Sequence, residues 1–263
     1  MRICTLASGS SGNCTYVESE SAKILIDAGI SAKKVRAALA KLDVSINQID
    51  ALLITHEHSD HVNEAGIVSI AIGCPIYATE RTYGGFWNSL SGHEKITHFQ
   101  VGHDFVIKDL YVHPFRVFHD ALDPCGFLIK EAALIDDHSK YIGIATDLGT
   151  FTPQLTALLK KCEVLVLESN HDLEMLIKGN YPWHLKQRIR SEVGHLSNRA
   201  CGEAIATLAQ YGYLKKVFLV HLSESNNHPD KAVWTINACL GELENQVELI
   251  VAPRDELSKV IRL

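Results

Sequence analysis

Residues 55–61, THEHSDH, place four side chains that can bind a metal ion within six positions: His56, His58, Asp60 and His61. They directly follow the compact apolar run at residues 51–55, which reads as a buried strand. Imidazole and carboxylate groups bind divalent metals such as zinc, manganese or iron. If the chain turns out of the strand end, two ligands face one point and two face its neighbour, which indicates two adjacent ions. The alternative, a polar surface loop, would leave imidazoles unpaired beside a buried strand.

Three more candidate ligands occur far along the chain. His119 (in RVFHDA), Asp147 (in YIGIATDLG) and His221 (in VFLVHLS) each follow an apolar, strand-like run. Open sheets gather their ligand sites at the carboxyl ends of strands. A lone histidine or aspartate at such a place is more often a hydrogen-bonded turn residue. Together with the histidine cluster, the three predict a site completed from several strands.

The order of elements predicts an α/β fold. Short strands are expected first, at 2–6, 14–18, 23–26 and 51–55, with helices from the N-cap Ser31 to 42 and over 62–72. A strand-rich middle follows, at 75–78, 104–107, 110–117, 126–130 and 141–145. Helices at 152–160, 198–210 and 230–240 then alternate with strands at 164–168, 217–220 and 247–251. We therefore expect an αββα sandwich of two sheets with helices outside. No linker or repeat divides the chain, so residues 1–263 are expected to form a single domain.

The composition indicates where the protein is located and which partners it can bind. The seven cysteines are scattered without a C-x-x-C pair, and neither a signal peptide nor a membrane-spanning segment is visible. These features favour a cytoplasmic protein that does not bind membranes. The formal charge of −6 argues against a surface that binds nucleic acid everywhere, although it permits a local basic strip.

THEHSDH resembles the H-x-H-x-D-H signature of the metallo-β-lactamase-fold hydrolases. Asp27 in LIDAG, His119, Asp147 and His221 match the family's other motif positions. The resemblance implies an αββα sandwich with a dinuclear metal site at one edge of the two sheets. It implies that His56, His58 and His119 bind the first ion and that Asp147 bridges both. Asp60, His61 and His221 would bind the second ion, and Asp27 would support the site by hydrogen bonds.

Four further segments, SGSSGN, LESNHD, GHLSNRA and HLSESNNHP, resemble the WalJ/YycJ group of this fold, which is linked to 5′→3′ exonuclease activity on DNA. This implies a phosphodiesterase or nuclease in which a hydroxide shared by two metal ions (Zn²⁺ or Mn²⁺, with iron also possible) attacks phosphorus. Asp60, Asp147 and His195 would be catalytic, and a wider resemblance to ribonuclease Z gives His195 the role of general acid. Glu168 and His171 would support the metal ligands.

The residues alone leave other functions open, because the same metal ligands serve attack on a phosphorus atom and attack on an acyl carbon. One is a phosphodiesterase that acts on small molecules, including cyclic phosphodiesters, and another is a thioesterase of the glyoxalase II kind. A metal-binding scaffold without turnover is disfavoured, because all seven ligand positions are filled. Oligomeric state is not predicted.

Residues 178–190, KGNYPWHLKQRIR, favour a nucleic acid partner, and the resemblance implies that it is DNA. Four basic residues occur there without an acidic one, interleaved with Tyr181 and Trp183. Basic side chains can follow phosphates while aromatic rings stack on bases. Lys186, Arg188 and Arg190 are therefore predicted to bind substrate. The alternative is a solvated amphipathic helix with a packed tryptophan.

The opening loop at residues 7–14, ASGSSGNC, has glycines and serines but no G-K-[ST], so it is not a P-loop. Gly9 and Gly12 suit a turn between two strands. Because the resemblance puts this loop near the metal-bearing edge, Ser10, Ser11 and Asn13 are predicted to help hold substrate in addition to forming the turn.

Overall fold

The computed structural model describes residues 1–132 and 140–263. Two seven-stranded sheets face each other. The first sheet has the order β14-β1-β2-β3-β4-β5-β6. Its strands are β1 (Arg2–Ala7), β2 (Cys14–Glu18), β3 (Lys23–Ile26), β4 (Ala51–Leu53), β5 (Ile76–Ala78), β6 (Ile96–His98) and β14 (Ile261–Arg262).

The second sheet has the order β13-β12-β11-β10-β9-β8-β7. Its strands are β7 (Phe105–Ile107), β8 (Leu110–Arg116), β9 (Cys125–Glu131), β10 (Tyr141–Ala145), β11 (Cys162–Glu168), β12 (Lys216–Val220) and β13 (Glu248–Val251).

Helices flank both sheets. Those near the first sheet are α1 (Ala32–Ala40), α2 (Ser59–Val62), α3 (Ala65–Ile72) and α4 (Glu80–Phe86). Later in the chain come α5 (Pro153–Leu159), α6 (Leu173–Lys178), α7 (Trp183–Ile189), α8 (Asn198–Ala209) and α9 (Pro229–Leu240). Short 3-10 helices lie at Ile46–Gln48, Trp87–Ser89 and Gly241–Gln246. None of the helices in the described parts of the chain is both long and apolar enough to cross a membrane.

Three layers of buried apolar side chains hold the elements together. Between the sheets, Ile24 and Leu53 of the first pack in one cluster with Phe127, Ile144 and Phe218 of the second. A second cluster joins the outer face of the first sheet to α1 and α3, and a third joins the outer face of the second sheet to α5, α8 and α9. The strands are buried on both faces, which explains their nearly continuous apolar sequences. The predicted αββα sandwich is confirmed.

Strand directions bring several strand ends to one edge. The strands β3, β4, β5 and β6 run parallel, as do β10, β11, β12 and β13. The strand β8 is antiparallel to β9, which is antiparallel to β10, so β8 ends at the same edge as β10. Side chains just beyond β8, β10 and β12 therefore emerge along one edge of the second sheet.

One predicted helix is divided. Instead of a single helix over 62–72, α2 ends at Val62 and α3 begins at Ala65. The backbone between them pairs with the turn after β3: the Ala28 N–H donates to the His61 carbonyl, and the Glu64 N–H donates to the Ala28 carbonyl. These bonds replace helical ones and tie the histidine segment to the first sheet. The predicted N-cap of α1 is confirmed, because the Ser31 side chain accepts from the Lys34 N–H.

Candidate metal centre

The candidate ligands lie at strand exits of both sheets. Asp27 follows β3, residues 55–61 follow β4, and His119, Asp147 and His221 follow β8, β10 and β12. The backbone has a positive φ at Asp27 (62°), Asp147 (53°) and His221 (56°). Such angles are uncommon outside glycine and cluster at functional sites. The chain thus bends sharply at three of the strand exits that carry the site.

The first ligand group contains His56, His58 and His119, whose ligand atoms lie within 4.8 Å of one another. The His119 Nε2 is 3.2 Å from the His58 Nδ1. The ring centres are 4.7 Å apart for His56 and His58, and 5.1 Å apart for His56 and His119. This is the set that the sequence assigned to a first metal ion.

The second group contains Asp60, His61 and His221. The Asp60 Oδ2 is 3.4 Å from the His61 Nε2 and 3.3 Å from the His221 Nε2. Asp147 lies beside both groups, since its ligand atoms also cluster with those of His56 and His61. Its Oδ2 is 3.2 Å from the His61 Nε2, and its Oδ1 is 3.0 Å from the His221 Nδ1. The structure therefore brings all seven predicted ligands together.

Most of the imidazoles have their Nδ1 held by a neighbour. The His61 Nδ1 is 2.7 Å from the Asp27 Oδ2, the His119 Nδ1 is 3.0 Å from the Gly194 carbonyl, and the His56 Nδ1 is 3.0 Å from the Thr55 Oγ1. Partners of this kind fix the tautomer and the ring orientation of metal-binding histidines. The Nε2 atoms of His61 and His119 face other candidate ligands: the first lies 3.2 Å from the Asp147 Oδ2 and the second 3.2 Å from the His58 Nδ1. The contact between Asp27 and His61 is of the kind that the resemblance implies for Asp27.

The protonation states also suit metal binding. Burial lowers the pKa of His56 well below its ordinary value and lowers that of His119. Both imidazoles are therefore neutral near pH 7, the form that binds metal. Burial works against the charge of Asp147, but His221 and His61 lower the pKa of this carboxyl well below its usual range. His56 and His119 are thus neutral imidazoles, and Asp147 is an ionised carboxylate. Burial also opposes protonation of His61 and His221, but neighbouring carboxylates raise the pKa values of these two rings, so each would release a proton on binding a metal.

Two buried atoms give a direct test of whether the residues fit a metal. The His56 Nε2 has no hydrogen-bond partner within the described residues, and the Asp147 Oδ2 has none in hydrogen-bonding geometry there, although the His61 Nε2 lies 3.2 Å away. Buried polar atoms are rarely left unpaired, because desolvation without a bond costs about 1–3 kcal/mol. A divalent cation bound by His56 and Asp147 would satisfy both atoms, so the donor set fits a metal such as zinc.

Glu168 and His195 form a pair next to the ligands. The Glu168 Oε1 is 2.8 Å from the His195 Nδ1 and equally 2.8 Å from the His221 Nδ1. The His195 ring centre is 5.0 Å from that of His119 and 5.2 Å from that of His221. Burial opposes protonation of His195, but Glu168 raises its pKa. Glu168 therefore joins the candidate general acid to a metal ligand.

His171 does not support the ligands as predicted. Burial lowers its pKa to about 4, and its buried Nδ1 has no hydrogen-bond partner among residues 1–132 and 140–263. Its backbone does contribute, since its carbonyl accepts from the Asn198 N–H at the start of α8. The side chain of His171 is buried beside the site without a bond to a ligand.

The three basic residues that were predicted to bind substrate differ in their exposure. Lys186 is buried, and its ammonium donates to the carbonyls of Ile177 (2.7 Å) and Gly179 (2.6 Å). The expectation that Lys186 binds substrate is therefore wrong, because its charge is used to hold the end of α6. Arg188 is half-exposed and pairs with Asp120, and Arg190 is exposed.

The three residues of the opening loop that were predicted to bind substrate also differ in their surroundings. Ser10 and Ser11 are exposed, whereas the Asn13 Nδ2 donates to the Asp60 Oδ2 over 3.0 Å. Of the three predicted substrate contacts in this loop, only Asn13 thus touches a metal ligand.

Sequence reasoning did not assign three residues the contacts with candidate ligands that the structure shows. Thr55 donates its hydroxyl to Asp27 and lies against two histidines, Ser8 accepts from the His221 N–H, and the Asp120 Oδ1 is 3.4 Å from the His119 Nε2. Thr55 and Asp120 are direct neighbours of predicted ligands, so adjacency was an available signal. Ser8 lies 213 positions from His221 and has no such signal.

Comparison with known proteins places this geometry in context. Residues 22–222 match the profile of the beta-lactamase superfamily domain. The chain is 38% identical to exodeoxyribonuclease WalJ of Streptococcus pneumoniae serotype 2 (strain D39 / NCTC 7466) over 238 residues, covering 88% of this chain and 85% of the relative. It is 34% identical to exodeoxyribonuclease YycJ of Bacillus anthracis over 245 residues, covering 92% and 90%. The fold is similar to the crystal structure of the metallo-beta-lactamase fold protein YhfI from Bacillus subtilis, with a TM-score of 0.72, 17% identity and 99% of each chain covered.

Proposed function

This chain belongs to the beta-lactamase superfamily, in the family of the exodeoxyribonucleases WalJ and YycJ, and from that premise we propose that it is a metal-dependent exodeoxyribonuclease. It is a hydrolase of phosphodiester bonds, and we place its action on DNA, in the 5′→3′ direction. The match to the superfamily profile and to the two exodeoxyribonucleases confirms the family resemblance that THEHSDH indicated.

The observation that carries the proposal is the pair of ligand groups beside Asp147. Divalent ions held there would supply positive charge to the scissile phosphate and lower the pKa of a water molecule. We assign His56, His58 and His119 to one ion and Asp60, His61 and His221 to the other. Asp147 would serve both.

His195 is placed to hold and deliver a proton. Its Nδ1 is tied to the Glu168 carboxylate, which raises its pKa and so keeps the ring protonated to a higher pH. The ring centre lies 5.0 Å from that of His119 and 5.2 Å from that of His221, and the ring is half-buried at the edge of the site. We assign it the donation of a proton to the leaving oxygen.

DNA is supported by the surface next to His119. Asp120 lies against His119 and also pairs with Arg188, so a half-exposed guanidinium stands close to the first ligand group. Arg190 follows on the same segment, and the ring of Trp183 at the start of α7 is 60% exposed. Arginine can bind the phosphates of a strand while an exposed aromatic ring stacks on a base.

The proposal is tested by incubating the purified protein with Mn²⁺ or Zn²⁺ and a panel of substrates. These are 5′- and 3′-labelled single- and double-stranded DNA, labelled RNA, a chromogenic phosphodiester and a thioester. We expect stepwise release of nucleotides from the 5′ end of DNA, abolished by EDTA. Hydrolysis of the thioester alone would contradict the nuclease assignment.

The assignment of Arg188 and Arg190 is tested by changing both to glutamine. We expect weaker DNA binding with a shallower salt dependence, because each lost phosphate contact reduces the slope by about one. Hydrolysis of the small chromogenic substrate should be unchanged. Arg36→Gln on α1, also exposed, removes the same type of charge elsewhere and should leave DNA binding as it is. Equal loss on both substrates would show that the two arginines are structural.

A further inference from the structure

The loop between β1 and β2 contacts every member of one ligand group. The Asn13 Nδ2 donates to the Asp60 Oδ2 over 3.0 Å and lies 3.1 Å from the His61 Nε2. Five positions earlier, the Ser8 Oγ accepts from the His221 N–H over 2.8 Å. Asp60, His61 and His221 are the three residues of the second group.

The orientation of the Asn13 amide is fixed by its other end. Its Oδ1 accepts from the Gly9 N–H over 2.9 Å, so its Nδ2 is the atom that faces Asp60. The backbone is held as well: the Asn13 N–H donates to the Asp60 carbonyl, and the Gly29 N–H donates to the Asn13 carbonyl. Both ends of the Asn13 side-chain amide and both backbone polar groups of Asn13 are therefore hydrogen-bonded.

Close packing leaves the loop little room to move. Gly12 has a φ of 145°, and a Cβ there would lie 2.3 Å from the Gly29 carbonyl oxygen. Any larger residue would push the loop away from the second ligand group. Gly12, which was predicted to allow a turn, is therefore also required for the close approach of the loop to Gly29.

The first ligand group has no comparable link to the loop. Across the residues that the structure describes, no hydrogen bond joins residues 8–13 to His56, His58 or His119. The His56 and His119 side chains are held by Thr55 and Gly194 instead. Thr55 also lies 3.4 Å from the His61 Nδ1 and so serves both groups, whereas the contacts of Ser8 and Asn13 go to the second group.

We infer that the loop selectively organises the second metal site, with Asn13 as a positioning residue for Asp60. The Asp60 side chain is 19% exposed and could rotate toward solvent without a partner. The Asn13 bond holds the carboxylate toward the two imidazoles, so that less ordering is needed when the ion binds. This inference rests on the dinuclear centre of the proposed function, and it gives Asn13 a role distinct from substrate contact.

The test is metal titration of the metal-free full-length protein with Mn²⁺, followed by calorimetry and by metal analysis after equilibrium dialysis. Wild type should bind two ions. Asn13→Ala should bind the first with unchanged affinity and the second about 10–100-fold more weakly, the usual effect of losing a partner of a metal ligand. Glu20→Ala, an exposed change just after β2, should leave both constants unchanged.

Ser8→Ala provides a second variant, should Asn13→Ala fold poorly, and is expected to weaken the same site. Binding of a single ion by wild type, equal weakening of both sites, or unchanged constants in both variants would overturn the inference. If Asn13→Ala raised the KM for DNA while both metal constants stayed the same, Asn13 would be a substrate contact and the inference would also fail. The metal-binding constants are measured without substrate. A wild-type protein that binds two ions but does not cleave DNA would therefore contradict the proposed function and leave this inference standing.

Discussion

His195 is not one of the seven candidate ligands, and its ring is held differently from those of His56 and His119. His56 and His119 are oriented by a hydroxyl and a carbonyl, and burial lowers their pKa values. His195 is held by the Glu168 carboxylate, and its pKa is raised. Burial opposes protonation of His61 and His221 as well, but neighbouring carboxylates raise the pKa values of both rings, which would each lose a proton on binding a metal. His195 is thus prepared to carry a proton without being one of the proposed ligands.

Replacing His195 with alanine should separate these two tasks. We expect kcat to fall about 10²–10⁴-fold, the range for loss of a general acid, while the number of bound ions stays the same. Steady-state kinetics and metal analysis of the same preparation measure both. His184→Ala, at an exposed position on α7, is the control and should have wild-type kinetics. A His195→Ala protein that lost metal in proportion to its activity would make His195 a ligand instead.

The ligands could be predicted from sequence, whereas most of their partners could not. Each ligand is a histidine or aspartate directly after an apolar strand, a signal that lies within a few residues. The bond between Ser8 and His221 spans 213 positions and exists only because β1 and β12 end at the same edge. Lys186 was misjudged because its partners are backbone carbonyls, which leave no trace in the pattern of side chains.

At the scale of elements, the turn after β3 packs directly against the helix α2 that carries Asp60. A Cβ on Gly29 would lie only 1.7 Å from the Asp60 carbonyl oxygen. Gly84 offers a contrast, because it lies inside α4 with open space around it. The same substitution should therefore have opposite effects at the two positions.

Gly29→Ala should strongly reduce the free energy of unfolding, because backbone rather than a flexible side chain must move. Gly84→Ala should raise it by about 0.5–1 kcal/mol, since alanine loses less conformational freedom than glycine in a helix. Urea unfolding followed by circular dichroism measures both. Similar stability changes in the two variants would mean that the turn after β3 adapts without cost.

The link between α6 and α7 depends on one buried ammonium. Lys186→Met keeps the aliphatic stem but leaves the Ile177 and Gly179 carbonyls without their donor, which should cost about 1–3 kcal/mol. Tm should fall by several degrees, while DNA affinity stays close to that of wild type. Gln187→Met, at the exposed neighbouring position, should change Tm little. A loss of DNA affinity at unchanged Tm would instead restore Lys186 as a substrate contact.

Strands with a clear apolar run in the sequence were predicted with correct bounds. Short helices and strands without such a run were not predicted. The strands Cys14–Glu18, Lys23–Ile26 and Tyr141–Ala145 have the predicted bounds, because their apolar runs end at turn residues. The helix α4 has the sequence ERTYGGF, in which two glycines hide its periodicity. The two-residue strand β14 is defined by its pairing with β1 rather than by any pattern of its own.

At the scale of the whole molecule, the metal centre joins the two sheets at one edge. Two of the strands that lead into it belong to the first sheet, at Asp27 and His56, and others lead from the second sheet to His119, Asp147 and His221. An ion bound by His56 and His119 would therefore link the sheets in addition to supplying chemistry. Metal loading should thus act on global stability.

Removing the metal should lower Tm, because the ions bind the native state and the centre is absent from the unfolded chain. One ion at 100 times its Kd stabilises by about 2.7 kcal/mol, which corresponds to a rise in Tm of about 5–10 °C for a chain of this size. Differential scanning calorimetry with Zn²⁺ and with EDTA measures the shift, which should grow with metal concentration. His195→Ala should show the full shift, whereas Asp147→Asn should show a smaller one because it loses a ligand charge. A Tm that is independent of metal in the wild-type protein would contradict a centre that links the two sheets.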